Sequence, residues 1–147
     1  MGEIGLCFGG PFTTTWRVRD YEVDGFNVVN NAVYANYCQH VRHEFLEYLG
    51  LEIAAYDGLL ALSELNMAFT APLRSRDWVK GSLRLRRCMA ARAEFEQQLV
   101  RVHGPDGVDE EVVLTALATV VFLTRSYRPT RIPAHIRELL IAGRPAT

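Results

Sequence analysis

No stretch of this chain approaches the ~18 consecutive apolar residues that a membrane-spanning helix needs. Its first ten residues, MGEIGLCFGG, have neither the basic start and long apolar core of a secretory signal nor the Arg and Ser bias of a transit peptide. A soluble protein is expected, and a targeting segment, if the gene product has one, is expected to have been trimmed. Cysteine is scarce. Cys7, Cys38 and Cys88 are three in number and have no C-x-x-C spacing, so neither a disulfide framework nor a thiolate metal site is indicated, and a reducing compartment is expected. Net charge is almost missing as well: 16 basic residues against 17 acidic ones leave −1. A polyanionic partner such as nucleic acid is therefore not expected. No internal repeat, low-complexity tract or linker interrupts the chain.

What is present is material for one core. A length of 147 residues with 49% hydrophobic and 10% aromatic side chains fits one globular domain spanning 1–147, with 1–10 as a flexible N-terminal segment. The Thr-rich stretch 11–19 reads as a strand. From Val33 the apolar positions fall at Val33, Tyr34, Tyr37, Cys38, Val41, Phe45 and Leu49, the threes and fours of one helix face, with Gly50 as the stop. A short helical piece is expected around 52–56. Strands follow at 59–73, 78–88, 92–103 and 110–124, with a Pro-Gly turn at 103–109, and a C-terminal helix at 132–143 has Pro133 in its first turn and Gly143 past its end.

One strand, one long helix and four consecutive strands make an α+β domain with a mostly antiparallel sheet. In 110–124 both faces look buried. Val112, Leu114, Ala116, Ala118, Val120 and Phe122 alternate with Val113, Leu117, Val121 and Leu123. One helix covers one side of a sheet, so the second apolar side predicts either a partner subunit or cover from the C-terminal helix.

The stretch between the first strand and the long helix carries the chemistry. Asn30 and Asn31 stand where the helix begins. Asn is a good N-cap, and a helix N-terminus offers free N–H groups to an anion or a developing oxyanion. Asp24 lies seven residues before Asn31 in a loop with Gly25 and Asn27, both tolerant of positive φ. A carboxylate beside a helix N-terminus suits acyl transfer, although Asp also forms Asx-turns in loops. Glu64, in an apolar strand, is either a second functional acid or a locally bonded side chain.

Residues 18–50, VRDYEVDGFNVVNNAVYANYCQHVRHEFLEYLG, followed by SELNMAFTAPLRS at 63–75 and YRPTRIPAHIR at 127–137, resemble the hot-dog-fold thioesterases of the 4-hydroxybenzoyl-CoA thioesterase type. Among these, the plant acyl-lipid and methylketone-pathway thioesterases are similar. The resemblance runs from about Phe12 to Leu140. It implies an antiparallel sheet wrapped around one long central helix, and homodimers or homotetramers with sites at subunit interfaces. It also implies a catalytic carboxylate at Asp24 and a carbonyl-polarising N–H at or next to Asn31. Many relatives have Gly where this chain has Asn27, and Asn is tolerant enough of the left-handed region for the turn to survive.

The activity so implied is hydrolysis of a fatty acyl or β-ketoacyl thioester on acyl carrier protein or coenzyme A. Asp24 acts as nucleophile or general base, Asn30, Tyr34 and Glu64 line the substrate, and no metal or other cofactor is required. Release of a polyketide chain, or a non-catalytic acyl-binding module, are the alternatives. A dehydratase would want a His in the loop before the helix, where there is none. The expected location is cytoplasm for a bacterial source and plastid stroma for a plant or algal one. Chain length depends on how Tyr34, Tyr37, Met67 and Phe69 pack.

Several residues have plainer readings. Glu44 and Glu47 are solvated helix residues and only backups to Asp24. His40 and His43 are three apart on one helix, too few for a metal. Arg84 and Arg86 are expected to face Glu94 and Glu96 across a hairpin. Arg74, Arg76, Arg128 and Arg131 have no such partners and are candidates for a phosphate or an acidic carrier protein. Cys38 is expected in the core.

Overall fold

In a computed structural model the chain is described for residues 11–51 and 58–145. The expected flexible segment 1–10 and the short helix around 52–56 lie outside these residues. The chain order is strand β1 (Phe12–Arg17), a 3-10 turn (Asp20–Glu22), helix α1 (Asn31–Tyr48), strands β2 (Gly58–Phe69), β3 (Trp78–Cys88), β4 (Arg92–Val102), β5 (Asp109–Thr124) and β6 (Pro129–Thr130), and helix α2 (Ala134–Ala142). The sheet runs β1-β3-β4-β5-β2, with β6 paired to β5, and every pairing is antiparallel.

The long helix forms where the apolar spacing predicts it. Tyr34, Tyr37, Cys38, Val41 and Phe45 are its buried face, and Val33 packs half-buried beside them. Its end is a Schellman turn: Gly50 takes φ 78°, Gly50 N donates to Glu47 O and Leu51 N to Leu46 O, which satisfies the last carbonyls. The helix lies on Val79, Leu83, Leu85, Phe95 and Leu99 of the sheet, all part of one buried cluster. Contact is close at Gly81. A Cβ there would press on Val41 Cγ2 and lie within 2.8–2.9 Å of the Trp16 indole. Replacing Gly81 with alanine is expected to cost about 1–3 kcal/mol through overpacking, read as a lower denaturant midpoint at unchanged m-value.

Among the four register shifts in the sheet, one on β5 and one on β2 alter the apolar faces expected from simple alternation. On β5 the register passes from Leu99↔Leu114 to Val100↔Val112, so Val113 is an extra residue. Val113 is buried while Val112 is 38% exposed: the expected run of one face from Val112 to Phe122 begins only at Leu114. On β2 the register passes from Leu62↔Val120 to Glu64↔Thr119. Ser63 is extra, and Glu64 moves to the face opposite Leu65 and Met67, which pack on the core. The helix α2 does not cover that opposite face. Its Ile136 and Leu140 join the same buried cluster as Cys88, Val120 and Phe122. Leu117, Val121 and Leu123 stay half-buried. Cys38 and Cys88 are both free and buried, Cys38 in the core as expected.

Candidate active site

Residues 22–30 form a tight hairpin that delivers the chain into α1. Val23 and Val29 make an antiparallel bridge, Asp24 N donates to Val28 O at 2.9 Å, Asn27 N to Asp24 O at 3.0 Å, and Asn30 N to Glu22 O at 3.1 Å. The turn closes through Asn27 at φ 57°, the left-handed position that asparagine tolerates. The Asp24 carboxylate is fixed by the turn itself: Oδ1 accepts from Phe26 N at 2.8 Å and from Val28 N at 3.5 Å. This is the Asx-turn that Asp commonly makes in loops. Oδ2 takes part in neither bond, and the residue is exposed, so one carboxylate oxygen is held in place and open to a substrate.

The two asparagines have separate positions. Asn30 is the N-cap, its side chain accepting from Ala32 N at 3.0 Å, and its carbonyl accepts from Val33 N at 2.9 Å. Asn31 is the first helical residue. With the next two amides taken up by Asn30, the Asn31 N–H is the first-turn donor with no acceptor among the described residues. An unsatisfied amide at the positive end of an 18-residue helix favours an oxygen that is gaining negative charge.

A cleft of about 290 Å³ opens at this point, between Val28, Asn31 and Tyr34 on one side and the chain from Phe69 to Pro72 on the other. The second wall is held by the bulge on β5, since Thr70 N and Ala71 N both donate to Val113 O. Tyr34 is 3% exposed. Its hydroxyl accepts from Leu73 N at 3.1 Å and its ring meets Phe69 edge-on at 5.2 Å, so it ties the helix to the far wall. Burial raises its phenol pKa, keeping the hydroxyl protonated. A larger concavity of about 420 Å³ beside Ser82, Arg84 and Gln98 contains none of these groups.

Glu22 was not singled out in the sequence, yet it anchors the hairpin. Its side chain, 12% exposed, accepts from Tyr37 OH at 2.8 Å and Arg19 N at 2.9 Å, while its carbonyl receives Asn30 N. Burial, followed by the Glu22 carboxylate, pushes the Tyr37 phenol well above its ordinary range, so it remains a donor. The sequence signal was the tyrosine on the helix stripe, which had to bring a hydroxyl into the core and find it an acceptor. Tyr37→Phe leaves that carboxylate without one donor and is expected to lower unfolding free energy by about 1–2 kcal/mol, measured by urea titration.

The other candidates lie elsewhere. Glu64 is exposed, accepts from Asn66 Nδ2 at 2.9 Å and is not among the residues lining the cleft. The bulge at Ser63 turns it away from the helix side, so it is locally bonded rather than buried. Glu44 and Glu47 pair with His40 and His43 along the helix at 3.7 and 2.8 Å. Among the described residues no three His, Cys, Asp or Glu are grouped to hold a metal. Arg84 meets Glu96 at 2.9 Å as expected. Arg86 does not face Glu94, because the register shifts between Leu85 and Arg87 and sets Arg87 opposite Glu94. Sequence reasoning also missed Gln97, the only buried polar residue described. Its amide donates to Cys38 O at 2.9 Å and accepts from Arg42 at 3.0 Å.

The chain is similar to known proteins. The profile of the thioesterase-like superfamily matches residues 18–140. The chain is 44% identical over 140 residues to "Acyl-acyl carrier protein thioesterase ATL2, chloroplastic" of Arabidopsis thaliana, spanning 93% of this chain and 71% of that protein. It is 46% identical over 128 residues to the corresponding ATL3 protein, also of Arabidopsis thaliana, spanning 85% and 65%. The chain thus spans about two thirds of the length of these relatives. Among solved structures, a 1,4-dihydroxy-2-naphthoyl-CoA thioesterase from Synechocystis superposes with a TM-score of 0.77 at 18% identity, over 89% of this chain and 96% of that one, which bears on the fold. An antiparallel sheet packed on one long helix is the hot-dog arrangement expected from the sequence, and no described helix is long and apolar enough to cross a membrane. With the match running through the hairpin, the helix and every strand that builds the cleft, the chain belongs to the thioesterase-like superfamily.

Proposed function

We propose that this chain hydrolyses fatty acyl or β-ketoacyl thioesters delivered on acyl carrier protein, with coenzyme A as the alternative carrier. Acyl thioester hydrolysis is what the relatives at 44 and 46% identity support. What supports the site assignment is a fixed, exposed Asp24 carboxylate on the hairpin that leads to the unsatisfied Asn31 N–H; Asn31 lines the cleft, and Asp24 stands on the hairpin outside that lining. The thioester carbonyl oxygen is placed at Asn31 N–H, where charge develops as the carbon becomes tetrahedral. Asp24 Oδ2 acts on that carbon in one of two ways. As a base it takes a proton from water, the hydroxide adds, and collapse expels the thiolate. As a nucleophile it displaces the thiolate directly and water then cleaves the anhydride. A single turnover in ¹⁸O-water puts label into the Asp24 carboxylate only by the second course with water adding at the Asp24 carbon, and trapping of the anhydride by hydroxylamine detects the second course whichever carbon water attacks.

The acyl tail has an apolar place to lie. A cavity of about 220 Å³ further along α1 is walled mainly by apolar side chains, among them Phe45, Leu46, Leu60 and Phe95, with Gln39, Arg42 and His43 on its helix side, a lining that admits a hydrocarbon chain. A second copy of the chain completes the reading. The strand β2 ends the sheet, so one edge of its twelve residues has no strand beside it among the described residues, and Leu62 and Phe69 on it are 45% and 48% exposed. A long apolar edge of this kind is stable in solution when paired. Light scattering is expected to give a dimer or a tetramer. The site is proposed to work in the plastid stroma in a plant or alga, as the chloroplastic relatives suggest. Thiol release from a panel of acyl and β-ketoacyl thioesters on both carriers tests the activity. No turnover by a folded protein would leave the acyl-binding module as the better reading.

A further inference from the structure

We propose that the cavity beside Arg42 binds the free fatty acid that the reaction releases, with its carboxylate on the Arg42 guanidinium, so that product competes with the acyl tail of the next substrate. The choice of a fatty acid rests on the thioesterase reading above. Phe45, Leu46, Leu60 and Phe95 give the cavity apolar walls, and Arg42 stands among them on the helix side. Arg42 is half-buried and held in place. Its Nη1 donates to Gln97 Oε1 at 3.0 Å, and Gln97, itself 3% exposed, is anchored by its donation to Cys38 O at 2.9 Å. The bond to Gln97 is the one hydrogen bond of this guanidinium among the described residues, which leaves most of its N–H donors for another acceptor.

A half-buried cation ordinarily has an anion beside it. Among the described residues no carboxylate lies within ion-pair reach of Arg42, and no Asp or Glu lines the cavity. The acids of the surrounding elements are directed elsewhere. Glu94 and Glu96 alternate with the buried Phe95 and Gln97 along β4, so they stand on the other face of the sheet, where Glu96 meets Arg84 at 2.9 Å. The bulge at Ser63 moves Glu64 to the face opposite Leu65 and Met67, which pack on the core. On α1, Glu44 follows Arg42 by two positions, which do not share a helix face, and it pairs with His40, as Glu47 does with His43. Burial lowers the Arg42 pKa from its ordinary value, and no carboxylate is among the groups that oppose this. The guanidinium has lost water without gaining a counter-ion.

A carboxylate on an apolar chain supplies what is missing. It brings two oxygens for the planar fork of the guanidinium and a tail for the apolar walls. Thioester hydrolysis makes that molecule at every turnover. Both spaces lie between α1 and β2, with Tyr34 and Phe69 lining the cleft and Leu46 and Leu60 the cavity. Asn31 and Arg42 are roughly 16 Å apart along the helix axis at the usual rise. At the hairpin the released acid meets the like charge of Asp24, and at Arg42 it meets the opposite one. A tail that ends in a methyl group leaves the guanidinium unpaired.

The test compares decanoate with decanol, a tail of the same length without the charge, on the wild type and on Arg42→Gln, whose amide keeps an N–H donor for Gln97. Affinity is measured by calorimetry, and inhibition by thiol release from decanoyl-CoA. Decanoate is expected to bind the wild type roughly tenfold more tightly than decanol and to inhibit competitively. In Arg42→Gln that preference is expected to disappear while decanol binds as before. A preference kept by the variant would place the acid elsewhere and overturn the site, as would equal binding of the two compounds by the wild type. Should the variant not fold, phenylglyoxal labelling of the wild type decides: shielding of Arg42 by decanoate and not by decanol supports the site, and equal labelling overturns it. Preference for dodecanedioyl-CoA over dodecanoyl-CoA that depends on Arg42, with decanoate and decanol bound alike, would assign Arg42 to the far end of the substrate's tail and overturn the product site. If the wild type turns over no thioester, the hydrolase reading fails by itself, and the calorimetry still decides whether Arg42 holds a fatty acid.

Discussion

Asp24→Asn is expected to lower the rate of thiol release by about 10²-fold or more, the range over which a positioned acid–base or nucleophilic carboxylate accelerates its step. Asparagine suits this experiment because of how the loop is built. The Asx-turn uses one side-chain oxygen, Oδ1, as acceptor for Phe26 N and Val28 N, and an amide oxygen accepts the same bonds. The hairpin around Asn27 and the helix cap at Asn30 should therefore persist, and the melting temperature should stay within a degree or two. What disappears is the negative charge on the second oxygen. Loss of rate with a retained melting temperature and retained binding of a non-hydrolysable acyl analogue places Asp24 in the chemistry. Full activity would remove Asp24 from it and reopen the search among Glu44, Glu47 and Glu64.

Phe45→Ala is expected to destabilise the fold by about 3–5 kcal/mol, the usual cost of removing a buried ring and leaving a cavity. Phe45 is fully buried. Its ring stands 5.5 Å from that of Phe12 on β1 and 5.9 Å from that of Phe95 on β4, so it joins the helix to the sheet edge and the sheet centre at once. Native folds are typically stable by only about 5–15 kcal/mol in total, so the variant should unfold at a much lower urea concentration. Leu46 and Leu60 line the neighbouring cavity, and the vacated space would connect with it. Acceptance of a bulkier acyl tail at low temperature, alongside the lost stability, is the accompanying effect to measure.

The sequence is most legible where a single period governs. Every buried position of α1 lies on the predicted stripe, and β3 begins and ends at the predicted residues, because helix and strand periodicities are local properties of the chain. The reading weakens where one residue is added to a strand. Ser63 and Val113 leave no signature in composition, yet each reverses the facing of the residues on one side of it. That is why Glu64 looked like a buried acid and Val112 like a core residue. The two-residue strand β6 was missed for a related reason: its pairing to Phe122 and Leu123 depends on tertiary register rather than on any local period. At the candidate site, the turn around Asp24, the asparagine cap and the left-handed Asn27 were readable from local turn and capping chemistry, while the Val23–Val29 bridge that makes the loop a hairpin was not. The clamp of Glu22 on Tyr37 was not, being a contact between residues 15 apart that only the folded chain brings together. The bond of Arg42 to Gln97 likewise joins residues 55 apart.

The burial of the two core cysteines bears on the chemistry in another way. A thioester hydrolase generates a free thiol at every turnover, and a reactive cysteine nearby would be open to exchange with that product or to acylation by the substrate. Burial raises the pKa of both Cys38 and Cys88, pushing the Cys38 thiol up to about 11, and a thiol that stays protonated is a poor nucleophile. These two side chains are therefore bystanders to acyl and disulfide exchange, and a thiol-detecting reagent added to the folded enzyme reads the released carrier rather than the core.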